Sequence, residues 1–117
     1  MNKFEIIFYE KADGSQPVVD FIKNQNIKMR SKLLKSIELL EDKGNYLKSP
    51  YSKYLSDRIF ELRVRQSNDI TRILYFFTVG KKIVMTNGFI KKSQKTPKSE
   101  IELAKKYRSI YIKKEGL

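Results

Sequence analysis

RIFELRVRQSNDITRILYFFTVGKKIVMTNGFI, residues 58–90, is the part of the sequence that decides the fold. It contains three segments rich in β-branched and aromatic residues, separated by polar or glycine-containing turn sequences. The first segment alternates apolar and charged residues, whereas the second is almost continuously apolar, as a central strand usually is. Because the connections are short, the segments should pair as an antiparallel meander. The predicted strands are residues 58–66, 70–79 and 83–90.

The sequence before this stretch predicts one more strand and a helical hairpin. Residues 3–9 alternate in a β-favourable composition and predict the first strand. A proline opens a short helix over 17–24, and Asn26 can cap a longer helix over 27–43, in which apolar residues recur at spacings of three and four. Residues 46–57 contain Ser-Pro and Ser-Asp turn signals, so we interpret them as a connector.

The last helix is predicted to begin at Thr96-Pro97, where a capping hydroxyl precedes a proline at the first helical position. Glu100 and Glu102 follow in the early turns, where negative charge is favourable. The resulting order of elements is βααβββα. It predicts one α+β domain over residues 1–117, an antiparallel sheet with an N-terminal helical hairpin and a C-terminal helix.

The composition excludes several classes of function. The chain has no histidine and no cysteine, which rules out a Ser–His–Asp triad, a His-based nuclease pair, disulfides, and metal sites built on imidazole or thiolate. No apolar run approaches the ~20 residues needed to span a bilayer, and the N-terminal segment is wrong for a signal peptide. We therefore expect a cytoplasmic protein that uses no metal or other cofactor.

The charge of the chain favours a polyanionic partner. Lys and Arg total 25 against 13 Asp and Glu, which gives a net charge of +12. Residues 91–117 contain nine basic and three acidic side chains, so this last quarter carries half of the excess. A localised excess of this size is typical of nucleic-acid binding. The alternative is an ordinary solvated surface that is rich in lysine.

Three arginines of the meander are candidates for phosphate binding. Arg63 and Arg65 are two positions apart, so they share one face of their strand with Glu61. Pairing through the 67–69 turn should bring Arg72 opposite them. A guanidinium in an otherwise apolar strand is costly unless it meets an acid or an anionic ligand. Two interpretations stay open for Arg72, a salt bridge to Glu61 and a phosphate clamp.

A second basic cluster comes after the third strand of the meander and runs into the start of the last helix. Backbone N–H groups, the positive end of the helix dipole and lysines meet there, which favours anion binding. The alternative is a solvated loop. The loop should lie at the same end of the sheet as Arg63 and Arg72. Its lysines are Lys91, Lys92, Lys95 and Lys98.

Such a basic cleft could cleave RNA. When a 2′-hydroxyl attacks the adjacent phosphorus, negative charge gathers on the phosphoryl oxygens, and Arg or Lys can stabilise it without a metal. A lysine whose pKa is lowered by other cations could act as general base or acid. Tyr75, Tyr107 or Tyr111 could supply a hydroxyl or stack on a base.

Three segments in succession resemble the HigB-like branch of the RelE/ParE toxin superfamily: LSDRIFELR at 55–63, RILYF at 72–76 and GFIKKSQKTP at 88–97. The resemblance covers about residues 3–108 in element order. It implies a twisted antiparallel sheet with helices on one side. It also implies ribosome-dependent cleavage of messenger RNA and neutralisation by a HigA-like antitoxin with a helix-turn-helix.

The family's basic active-site positions match Arg63, Arg72, Lys91, Lys92 and Lys95 of this sequence. From the resemblance and the charge pattern together we assign catalysis to Arg63, Arg72, Lys91 and Lys95, and RNA binding to Arg65, Lys92, Lys98 and Tyr75.

The sequence departs from the family at two positions. Arg58 stands where related sequences often have a glycine, which affects a turn. Asn87 stands where many have a histidine, so the general base is left open. Two rival functions also stay open. One is a ParE-like inhibitor of DNA gyrase, and the other is a non-catalytic nucleic-acid-binding module anchored by the lysine-rich tail.

Overall fold

The computed structural model of the protein describes residues 3–92 and 94–117. Within them, no helix is both long enough and apolar enough to cross a membrane. The strands are β1 (Glu5–Phe8), β2 (Ser52–Ser56), β3 (Ile59–Gln66), β4 (Asp69–Thr78) and β5 (Lys82–Ile90), and the helices are α1 (Pro17–Lys23), α2 (Ile27–Lys43) and α3 (Lys98–Glu115).

The strands form one sheet in the order β1-β5-β4-β3-β2. The pairs β2–β3, β3–β4 and β4–β5 are antiparallel, which confirms the predicted meander. β1 pairs with β5 in parallel, so the prediction of a wholly antiparallel sheet is wrong and the sheet is mixed. The chain nevertheless has the predicted α+β class. The helical hairpin α1–α2 follows β1 in the chain, and the strand that later pairs with β1 is β5, the last strand.

The predicted connector over 46–57 contains a strand, so the observed order is βααββββα. β2 is short and polar, and its composition gives no strand signal. Asp57 and Arg58 form the two-residue turn that folds it against β3, and both have positive φ angles, 48° and 65°. Inside the sheet, the buried Ser52 hydroxyl forms a hydrogen bond of 2.6 Å with the Tyr75 hydroxyl. This pairing makes β2 one edge of the sheet.

The sheet has a hydrophobic core on each face. α1 and α2 cover one face, and α2 buries Met29, Leu33, Ile37 and Leu40 there. α3 covers the other face, where Ala104 is its one fully buried contribution among the described residues. The helices therefore lie on both sides of the sheet, and the expectation that they lie on one side is wrong. Successive side chains of β4 point to opposite faces, so this strand contributes to both cores. Ile73 and Tyr75 face α2, whereas Leu74 and Phe76 face α3.

α3 begins one residue later than the sequence predicted. Its first helical residue is Lys98 and its N-cap is Pro97, which has no side-chain capping bond. The predicted cap, Thr96, instead donates its hydroxyl to Glu61. A buried charge without hydrogen bonds is costly, so the hydrogen bond that Thr96 donates to Glu61 is favourable and directs the Thr96 side chain towards the carboxylate.

Candidate functional site: a basic cleft at the start of α3

The hairpin of β3 and β4 places the arginines together. Arg63 and Arg72 are direct partners across the two strands. Arg72 lies on the face of Leu74, which is the face that α3 covers. Arg65 and Glu61 alternate onto the same face as Arg63. The predicted grouping of these four side chains is confirmed.

Glu61 is the acidic centre of this group. Its side chain is fully buried, and Oε1 lies 3.1 Å from Arg63 Nε and 3.3 Å from Arg72 Nε. Oε2 accepts the hydrogen bond from Thr96. The salt bridge proposed for Arg72 is therefore present. Arg72 also lines an open cleft, so its guanidinium can contact a ligand as well as Glu61.

The cleft, here called the arginine cleft, has a volume of about 470 Å³. The backbone N–H of Lys91 donates to Ile70 O at 2.8 Å, so the start of the lysine loop continues the pairing of β5 with β4. This contact brings Lys91 beside Arg72. The loop therefore lies at the predicted end of the sheet. The cleft is lined by Arg65, Ile70, Arg72, Lys91, Lys92 and Gln94.

The start of α3 is tied to the sheet by Asn87. Its side-chain amide donates to the Glu100 backbone carbonyl at 3.2 Å and to Glu100 Oε1 at 2.9 Å. Its amide oxygen accepts from the Thr86 hydroxyl at 2.6 Å. Asn87 thus has a positioning contact with the first turn of α3.

The electrostatics of the arginine cleft favour an anionic ligand. Burial lowers the pKa of Arg72, and Arg63 and Arg65 lower it further, while Glu61 acts in the opposite direction. Burial also lowers the pKa of Lys91, and the charge on Arg72 adds to that effect. Two cations whose charged forms are disfavoured in this way gain from a bound phosphate, which restores the charge balance.

The other predicted residues fall at different places. Tyr75 is 1% exposed and lies in the core beneath α2, on the face opposite the arginine cleft. A base cannot reach its ring in this fold. Lys95 and Lys98 are exposed and do not line the cleft, and Ser93 in the same loop lies outside the described residues. Arg63 lines a second groove beside the cleft.

Two residues near the cleft were missed by the sequence reasoning. Lys53 pairs with Glu61 across β2 and β3, and its charge contributes to the lowered pKa of Lys91. It could not be found because the composition of β2 predicts a connector and not a strand. Thr96 is predicted as the helix cap and instead bonds Glu61. The QKTP segment was part of the family resemblance, but it did not indicate that Thr96 contacts Glu61.

Comparison with known proteins identifies one family. A family model described as phage-derived protein Gp49-like (DUF891) matches residues 20–109, from α1 into α3. The matched segment includes the arginine cleft. This family is often linked to the toxins of toxin–antitoxin pairs. The matching model is not that of the HigB-like branch, so the finer resemblance stays a prediction. No curated protein matches the chain.

Proposed function

This chain belongs to the Gp49-like family of phage-derived proteins, and from that premise we propose that it is the toxin of a toxin–antitoxin pair. We further propose that it is an endoribonuclease that cleaves messenger RNA on the ribosome. The observation that supports this activity is the arginine cleft itself. Four cations, Arg65, Arg72, Lys91 and Lys92, line this cleft, Arg63 lines the groove beside it, and Glu61 pairs with Arg63 and Arg72.

The proposed reaction is transesterification within the RNA strand. The 2′-oxygen forms a bond to the adjacent phosphorus, and the bond from phosphorus to the 5′-oxygen of the next nucleotide breaks. The 2′-hydroxyl passes its proton to water, and the leaving oxygen takes one from a protonated side chain of the cleft. The products are a 2′,3′-cyclic phosphate and a 5′-hydroxyl. Negative charge grows on the phosphoryl oxygens, where fixed cations are most effective.

The positions of the side chains support a division of roles. Arg63 and Arg72 are held by Glu61, so their guanidinium groups meet the phosphate without first being ordered. Lys91 lines the cleft beside Arg72, and its lowered pKa makes it a better proton donor to the leaving oxygen than an ordinary lysine. We assign that role to Lys91 in preference to the more exposed Lys95. Arg65 and Lys92 would hold the RNA backbone.

The proposal includes a protein partner, a HigA-like antitoxin with a helix-turn-helix that neutralises the toxin. Support for this partner comes from the family link to toxin–antitoxin pairs and from the sequence resemblance. We expect a small reading frame that encodes such a protein beside the one for this chain, and its co-expression should relieve growth inhibition.

The test is cleavage of a defined message in a translation extract. We expect the wild-type chain to cut the message only during translation and to leave 2′,3′-cyclic phosphate ends. Arg63→Ala should lower the single-turnover rate by about a hundredfold or more, because it removes a contact to the developing charge. Lys106→Ala is the matched control. It removes the same charge from an exposed position on α3 and should cleave normally.

Three outcomes would contradict the proposal. Uncut message together with inhibited DNA supercoiling would identify a gyrase inhibitor. Bound but uncut message would identify a non-catalytic RNA-binding module. Products with 3′-hydroxyl ends, formed only when a divalent metal is present, would identify a metal-dependent nuclease and overturn the cleavage chemistry.

A further inference from the structure

A second groove adjoins the arginine cleft at the outer edge of β3. The pairing of β2 with β3 ends at Ser52 and Leu62, and just beyond it the Arg63 N–H donates to Tyr51 O at 2.8 Å. β3 continues to Gln66 without β2 beside it. The groove that opens there has a volume of about 390 Å³ and is here called the Tyr51 groove. It shares Arg65, Ile70 and Arg72 with the arginine cleft.

The lining of the Tyr51 groove combines an aromatic ring with positive charge. Tyr51 is 52% exposed, although it is a large aromatic residue. Across the groove, α2 presents the exposed Lys32 together with Ser36. None of the described residues that line the groove is acidic. An exposed ring beside a row of cations is the usual arrangement for binding single-stranded nucleic acid, because bases stack on the ring and phosphates meet the cations.

We propose that the Tyr51 groove binds the nucleotide next to the phosphate held in the arginine cleft. The base stacks on the Tyr51 ring, and the following phosphate contacts Lys32. This inference rests on the proposed function, since it requires RNA in the arginine cleft. The shared residues Arg65 and Arg72 allow one strand to occupy both sites. The groove volume lies within the roughly 300–1,000 Å³ of small-ligand sites.

The surroundings of Tyr51 suit a stacking platform. Its backbone is fixed on both sides, since its N–H donates to Lys48 O at 3.0 Å and its carbonyl accepts from Arg63. The neighbouring Tyr54 is also exposed, but its hydroxyl accepts from Arg58 N and its ring packs edge-on against Phe60. Tyr54 therefore has a structural role. Tyr46, 78% exposed, does not line the groove and provides a matched control.

The experiment uses a single-stranded oligoribonucleotide whose 2′-hydroxyls are methylated to prevent cleavage and which carries 2-aminopurine. Stacking on tyrosine quenches the fluorescence of this base. Wild type, Tyr51→Phe and Tyr46→Leu should bind alike and quench. Tyr51→Leu, which keeps the apolar volume without the ring, should bind about tenfold more weakly and not quench. Lys32→Gln should reduce the slope of log affinity against log salt by roughly 0.7.

The same variants in the translation extract separate this inference from the proposed function. If wild type binds and quenches through Tyr51 but cuts no message, the nuclease assignment fails and the groove assignment stands. If wild type cuts message and Tyr51→Leu matches Tyr46→Leu in binding, quenching and cleavage, the groove assignment is overturned. It is also overturned if Tyr51→Leu impairs only neutralisation by the co-expressed antitoxin, because the groove would then bind protein.

Discussion

The single carboxylate of Glu61 contacts three side chains. Its two oxygens engage Arg63, Arg72 and Thr96, which come from β3, from β4 and from the loop before α3. The carboxylate is fully buried, whereas the side chains of Arg63 and Arg72 retain 26% and 10% exposure. Glu61 therefore lies beneath the cations and not in the path of a ligand. Its contribution is to position the arginines.

We predict that Glu61→Gln lowers the free energy of unfolding by about 3 kcal/mol, because breaking a buried charge pair leaves uncompensated charge. Urea denaturation measures the change. Glu102→Gln is the control, since its pair with Lys105 is exposed and should contribute less than about 1 kcal/mol. A loss no larger than that of the control would mean that the arginines do not depend on Glu61.

Lys91 gives the site a pH dependence. Its pKa lies below the ordinary 10.5 because of burial and the nearby Arg72. As the pH rises from neutrality towards 10.5, Lys91 therefore loses its positive charge earlier than an ordinary lysine does, and RNA affinity should already fall over that range. Lys91→Arg should hold the affinity level over this range, because arginine stays charged. Oligoribonucleotide binding measured across the range checks this.

Lys98→Arg is the control for that experiment, since Lys98 is exposed and does not line the cleft. It should keep the wild-type pH profile. A profile that Lys98→Arg flattens as strongly as Lys91→Arg would show that general surface charge, and not Lys91, sets the dependence.

Strand alternation made some of the site residues predictable from the sequence. Strand pairing through the short turn placed Arg72 opposite the Arg63/Arg65 region, but the exact register was not predicted, because the observed turn is 67–68 and Asp69 already belongs to β4. The same alternation puts Tyr75, three positions after Arg72, on the opposite face, so its assignment to RNA binding was inconsistent with the strand pattern. The partner of Thr96 is 35 positions away in the sequence, and no local pattern encodes such a contact.

Among the elements, the turn between β2 and β3 contains a residue poorly suited to its conformation. Positive φ angles at Asp57 and Arg58 match the two-residue turn that suits the twist of a hairpin, in which glycine is favoured at the second position. Arg58→Gly should raise the free energy of unfolding by about 0.5–1 kcal/mol.

Arg58→Ala is the matched variant, because it removes the same side chain and charge but keeps the Cβ. It should not be stabilising. Thermal or urea unfolding of both variants makes the comparison. Equal stability of the two would show that the backbone conformation of Arg58 carries no cost.

The elements with strong periodicity were predicted to within about two residues, and the others were not. The Asn26 side chain accepts from Met29 N at 2.8 Å, as its capping role required. β2 was missed because five mostly polar residues acquire strand structure from their neighbour and not from their own propensity. The direction of β1 was missed because alternation at 3–9 predicts a strand but not the edge it joins.

For the whole molecule, the two faces of the sheet are covered unequally. α2 buries four large apolar residues, whereas α3 buries Ala104 and leaves Tyr107 and Tyr111 partly exposed. Polar contacts hold α3 as well, among them Lys105 with Asp57 at 2.6 Å. Exposed ion pairs of this kind contribute little. α3 is therefore the less firmly attached helix.

We predict that backbone amides in the middle of α3 exchange with solvent about tenfold faster or more than those of α2, because local opening depends on the burial that each helix loses. Hydrogen exchange monitored by NMR resolves the two helices. Simultaneous exchange in both would show that α3 opens only when the whole domain unfolds.

The parallel pairing of β1 with β5 has a consequence for the chain during its synthesis. Glu5 emerges from the ribosome early, but its partner Lys82 emerges much later. β1 therefore has no strand to pair with until β5 has been synthesised. Lys91 comes directly after β5 and reaches Arg72 only once that strand has docked. Completion of the sheet and assembly of the arginine cleft are thus one event. If the cleft cleaves RNA as proposed, a nascent chain that has not yet released β5 is inert towards the message from which it is being translated.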